Sequence, residues 1–227
     1  MNGNDGRDKT IVSMAGYMDN AQFGPVGEVT AYWEGLRCGR QVPLRSEVDP
    51  RGIERALEFA FVIERIAPQV ARFRLAGMHL NDLLGMEVRG MPITSMFTVA
   101  GRTEVATAME RVFQEPAVVS MRLRAETGIG KPPLDARMLL LPLRSDLGDI
   151  SRALGCFVAR GQIGRAPRRF DVSEAEILAV EAGKPIRLFE RVEPVTPAHV
   201  VGLAEDRAVF QPAPIRQRPN LRLVKTE

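Results

Sequence analysis

From Glu28 to Arg37 the apolar residues Val29, Tyr32, Trp33 and Leu36 fall at i, i+3, i+4 and i+7, the spacing that lines one face of an α-helix. Cys38-Gly39-Arg40 ends that helix, and Gln41 to Glu47 runs extended around Pro43. Asp49-Pro50 then opens a short helix to about Leu57, because Asp caps free amides and Pro at the first helical position loses no hydrogen bond. Phe59 to Ile66 and Val70 to Ala76 read as two strands joined at Ala67-Pro68-Gln69. In the second, Ala71, Phe73 and Leu75 alternate with Arg72 and Arg74, so the hairpin has one wet face.

Leu80, Leu83 and Leu84 suit one or two helical turns closed by Gly85. Val105, Ala108, Met109, Val112 and Phe113 form a clear stripe on a helix from Thr103 to Phe113 that stops at Pro116. Three strands follow, Val118 to Ala125, Arg137 to Arg144 and Arg152 to Ala159, with connectors rich in Gly, Pro and Asp that make them an antiparallel meander. Pro142 has no N–H for a ladder, so it marks a bulge or a place where its strand is an edge. Past Gly161 the composition turns to Arg, Pro and Gly, a boundary signal. Ser173 and Glu176 then form a capping box, with Ile177 and Leu178 behind it and Gly183 and Pro185 as the stop, which predicts one more short helix. The chain thus divides into a flexible lead over 1–25, a domain with its leading helix over 26–160, and an extension with one short helix and a basic tail over 161–227.

Composition narrows the class. Of 227 residues, 45% are hydrophobic and 26% charged, which is ordinary globular usage. No apolar run reaches the roughly 20 residues of a membrane span, and the polar start MNGNDGRDKT is no secretory leader. A cytoplasmic location is the expectation. Cys38 and Cys156, the two cysteines, are expected to be reduced structural thiols. The net charge of +3 resides after residue 159, where 12 basic side chains face 9 acidic ones. Arg216, Arg218, Arg222 and Lys225 concentrate it in the tail, which reads as a solvated end or as a weak contact with nucleic acid or another anionic surface.

Catalytic patterns are scarce. His79 and His199 are the only histidines, and no Gly-x-Ser-x-Gly, His-Glu-x-x-His or Cys/His cluster occurs, so the expectation is a non-catalytic protein. Gly128-Ile-Gly130-Lys131 lacks the first Gly and the magnesium-binding Ser or Thr of a phosphate loop, and reads as a hairpin loop. Arg165, Arg168 and Arg169 ahead of Asp171 and Ser173 have the residue types of a cyclic-dinucleotide clamp but lack its closing Gly and its spacing.

Two strands, a run of short helices, one longer helix and three antiparallel strands are in the order of a PAS domain. Local segments carry the likeness further: Tyr32-Trp33-Glu34-Gly35-Leu36-Arg37 with Gly39-Arg40, Pro43-Leu44-Arg45-Ser46, Asp49-Pro50, Phe73-Arg74-Leu75-Ala76-Gly77, and Leu84-Gly85-Met86-Glu87-Val88-Arg89-Gly90. Over about residues 27 to 160 the chain resembles a small bacterial PAS-type family whose members often consist of little else. The resemblance implies an α+β fold, a PAS-like five-stranded antiparallel sheet with helices on one face, preceded by the amphipathic helix. It also implies a sensory or adaptor module that binds a small ligand or a protein partner and signals through protein contacts. Phe61, Phe73, Leu75, His79, Leu80, Leu84, Met96, Phe97, Met121 and Leu139 are the candidates for lining the space between sheet and short helices. The same residues describe either a filled core or a small-molecule cavity. His79 reads as a hydrogen-bonded side chain or as an axial haem ligand, and Cys156 lacks the flanking motif of a flavin-adduct cysteine. The sequence specifies no cofactor. Tyr32, Trp33 and Leu36 are the candidate homodimer interface, and the signalling partner is unidentified.

Overall fold

The computed structural model describes residues 23–186. Most of the lead and the basic residues Arg216, Arg218, Arg222 and Lys225 therefore lie outside the described residues. Three α-helices and six strands organise the described residues, together with short 3-10 turns at Arg45–Glu47, Pro50–Ala56 and Ile93–Met96. In chain order they are α1 (Gly24–Arg37), β1 (Ala60–Ala67), β2 (Val70–Ala76), α2 (Met78–Leu84), α3 (Val99–Gln114), β3 (Ala117–Ala125), β4 (Asp135–Leu143), β5 (Arg152–Arg160) and, closing the sheet, β6 (Phe170–Ala179). The sheet has six strands in the order β2-β1-β5-β4-β3-β6, and each neighbouring pair is antiparallel.

The sixth strand replaces the helix expected after Ser173. Phe170 and Val172 pair with Ala125 and Leu123, whereas Glu174 pairs with Arg122, so Ser173 is an extra residue at a bulge. A bulge inverts the faces. Before it, Phe170 and Val172 point to the inner core; after it, Leu178 points to the other face. That phase change erases the period-2 pattern and leaves apolar residues at spacings that imitate a helix. Ser173 donates its hydroxyl to the Arg122 carbonyl 2.9 Å away instead of capping anything. The sheet thus continues past residue 160, and the count of strands is six where five were expected.

The sheet is covered on both faces. On the inner face α2 and α3 close a large core built from Phe61, Phe73, Phe157 and Phe170 with Met96, Met109 and Met121. On the outer face α1 lays Val26, Val29 and Trp33 over Leu139, Leu141, Leu154 and Cys156. The domain's own helices, α2 and α3, lie on one face as expected, and the leading amphipathic helix α1 covers the other. Residues 23–25, expected in a flexible lead, are ordered: Phe23 is buried beneath the Arg137 guanidinium, 4.7 Å from its ring centre, and Gly24 and Pro25 start α1.

Caps and breaks agree with the chemistry of the residues there. Asp49 accepts the Arg51 amide at 2.9 Å, so the Asp-Pro start signal works, although the turn it opens is 3-10 rather than α. Thr98 accepts from the Gly101 amide and begins α3. Pro142 lies past the last β3–β4 pair, Val119 with Leu140, and keeps only β5 as a neighbour through Ala153. It sits where β4 is an edge on that side, and its missing N–H leaves no gap in a ladder.

Candidate functional site

Seven of the ten candidate lining residues come together. Phe61 on β1, Phe73 on β2, Leu80 and Leu84 on α2, Met96 and Phe97 before α3, and Met121 on β3 all enter the inner core and are buried. The strands put alternate residues there, and α2 and α3 supply matching stripes. Phe61 and Phe73 meet edge to face at 5.4 Å, and Phe157 and Phe170 do so at 5.0 Å, arrangements that add to the burial of each ring. The Phe61 ring lies directly on Gly155, where any β-carbon would occupy the ring's own position. Side chains of the chain itself thus meet across this part of the space.

The other three candidates lie elsewhere. Leu75 pairs with Val62 on the outer side of β2 and is 48% exposed, because a register shift between Val62 and Ile63 turns it away from Phe73. Leu139 faces α1 in the outer core. His79 stands at the rim, half-buried, its Nε2 accepting the Ala159 backbone N–H at 3.0 Å and its ring edge-on to Phe59 at 4.9 Å. Burial lowers the pKa of His79, against the opposing pull of Glu58 and Asp82. A neutral imidazole is what the Ala159 bond needs, since Nε2 must keep its lone pair to accept. That same lone pair is the one a haem iron would require, so axial ligation through Nε2 would cost this bond.

Cys156 belongs to the outer core. Burial, helped by the Glu28 carboxylate, pushes its thiol up to about 12, which makes it an inert packing group on the face away from the inner space. Cys38 is exposed. Among the described residues no group of three or more His, Cys, Asp or Glu is placed to hold a metal.

The candidate dimer residues divide as well. Trp33 is fully buried within this chain and donates Nε1–H to the Pro142 carbonyl at 2.8 Å. Its stripe has a partner already, the outer face of the sheet. Tyr32 and Leu36 are half-buried on the flank of α1, and the Tyr32 hydroxyl accepts from the Asp49 amide at 2.7 Å.

Sequence reasoning missed Phe157 and Phe170 as members of the inner core, and it missed the buried arginines. Arg168 is fully buried and donates to the carbonyls of Ile163, Glu126 and Pro132, so it staples two loops and has no room for phosphate. Arg37 lies 5.2 Å from the Trp33 ring centre and donates to the Lys184 carbonyl at 2.7 Å, tying the end of α1 to the chain after β6. Only a buried arginine's surroundings reveal such a role. Gly128 to Lys131 is a hairpin loop, with reciprocal backbone bonds between its ends and Lys131 paired to Glu126.

On the inner core's border Arg65 pairs with Glu110 of α3, which also accepts the Gln69 amide at 2.8 Å. Burial pushes the Glu110 carboxyl up, but the Gln69 amide and the Arg65 guanidinium outweigh it and hold the group below the usual carboxylate range.

A sheet of this order, a run of short helices and a longer helix over its inner face, and an aromatic core between them define a PAS-type fold. A family model described as PAS domain matches residues 23–158, and the chain belongs to that family. No curated protein matches the chain. No helix among the described residues is long and apolar enough to cross a membrane.

Proposed function

We propose that this protein is a non-catalytic, cytoplasmic sensory or adaptor PAS module that signals through protein contacts, including contacts with a second copy of itself. PAS domains are sensory units, and membership supports the class. One observation favours contact over an internal cofactor: Phe61 lies on Gly155 in the centre of the inner space. A module whose interior is occupied by its own rings carries information on its surface.

Self-association through α1 falls to Tyr32 and Leu36, because Trp33 is enclosed by the sheet. Size-exclusion chromatography with light scattering tests this on the full chain and on Leu36→Ala. A dimer that the variant weakens supports the reading. A particle of 25.1 kDa at every concentration removes the homodimer, and absorbance from a stoichiometric chromophore after haem or flavin supplementation removes the contact reading altogether. The sequence-based alternative, attraction of an anionic surface by Arg216, Arg218, Arg222 and Lys225, is excluded if deleting 214–227 leaves binding to DNA, RNA and anionic vesicles unchanged at low salt.

A further inference from the structure

A polar cavity opens at the β4–β5 hairpin end of the sheet. Its volume is about 420 Å³, and Arg45, Glu64, Ser145, Asp146, Asp149 and Arg152 contribute to its wall. The hairpin segment between Leu143 and Arg152 forms one side and the chain following α1 the other. Both are fixed: Arg45 donates its backbone N–H to the Arg144 carbonyl at 2.8 Å, Arg144 donates to Pro43 at 2.9 Å, and Ser145 donates to the Asp149 carbonyl at 2.7 Å.

Most of the charge around this cavity is already matched. Glu64 holds Arg74 and, at 2.8 Å, Arg152. Asp149 accepts the hydroxyls of Ser145 and Ser151, which hold its carboxyl below the usual range. Two groups remain. Among the described residues the half-buried Arg45 guanidinium and the exposed Asp146 carboxylate have no bonding partner, and although they share one cavity they do not form an ion pair with each other.

An unpaired cation and an unpaired anion in the wall of one cavity, with no ion pair between them, match a molecule with both charges. A simple anion would meet Glu64, Asp146 and Asp149, and a simple cation would meet Arg45 and Arg152. A zwitterion satisfies both ends. We propose that this cavity binds a free α-amino acid, its carboxylate against the Arg45 fork and its ammonium against Asp146, with the serine hydroxyls completing its hydrogen bonds. The sensory reading gives such binding its consequence, since the ligand would join the chain after α1 to the sheet; the binding chemistry does not depend on it.

The test is calorimetric titration of the full chain with each of the common L-α-amino acids at concentrations up to about 10 mM, the range of weak metabolite binding. At least one is expected to bind saturably, and its methyl ester or N-acetyl derivative about tenfold more weakly. Arg45→Gln and Asp146→Asn are each expected to weaken it by a similar factor at unchanged melting temperature, because neither side chain has a partner to lose. Saturable binding by no amino acid overturns the proposal, as does binding that survives both substitutions or is matched by the N-acetyl derivative. A monomeric particle in light scattering would leave this titration unaffected, so the two proposals fail separately.

Discussion

The two faces of the sheet are buried by different means. The inner face is closed by α2 and α3, and its core holds six phenylalanines and several methionines. The outer face is closed by α1 over mostly aliphatic residues, with Trp33 and the buried arginines Arg37 and Arg137 at the seam, and only part of it is covered. β3 records the change within one strand: Val118 is buried beneath the α1 side, whereas Arg122 and Arg124 farther along the same face are 61% and 75% exposed. The inner face is therefore covered by helices and rich in aromatic rings, whereas the outer face combines a core with a wet surface.

Removing the seam is expected to have the largest effect. Trp33→Ala deletes a fully buried indole and leaves the Pro142 carbonyl without its donor, at a cost of about 4 kcal/mol. Urea unfolding checks this, and a loss under about 1 kcal/mol would make α1 an appendage instead of half the core. Phe61→Ala on the inner face follows at about 3 kcal/mol. Gly155→Ala alone costs about 1–3 kcal/mol by overpacking, because its methyl group would intrude on the Phe61 ring. The double variant sharpens the point: once the ring is gone the alanine fits, so the two losses add to less than their sum.

Acid has a smaller and selective effect. His79 has a lowered pKa in the folded chain, so the unfolded chain takes up its proton first as pH falls. Its contribution is fully present above the ordinary histidine value of about 6.5 and is lost as pH drops from there through the folded value. His79→Gln flattens that part of the stability profile while retaining an acceptor for Ala159. Glu110, also lowered, acts in the same direction in a separate window, from its ordinary value of 4.5 downward. The smallest effect belongs to the wet part of the outer face: Arg122→Ala breaks an exposed pair with Glu174 and should change stability by about 0.5 kcal/mol or less.

The sequence made the strands β1 to β5 and the stripe of α3 legible, because runs of strand-forming residues bounded by Gly, Pro and Asp mark the strands and helical spacing marks α3. It also held a clue that single-face reasoning passes over. Met138 to Leu143 and Ala153 to Ala159 are almost continuously apolar, the pattern of strands buried on both sides, and that pattern requires a second cover, which α1 supplies. β6 was concealed by the bulge at Ser173, which shifts the period by one and leaves Glu176 where a capping box would have it. Within the site, Leu75 was misplaced by the register shift in β2 and Leu139 by the strand's two-sided burial. The outer cavity depends on Arg45 and Asp146 meeting from positions 101 residues apart, and no local pattern marks that.

Native mass spectrometry of the purified chain tests most directly whether the inner space is a finished core. The expected spectrum shows the polypeptide mass alone, 25.1 kDa or a multiple of it, after exchange into volatile buffer. A small molecule carried along in fixed stoichiometry, released only when the protein unfolds and retained by Arg45→Gln, would contradict it.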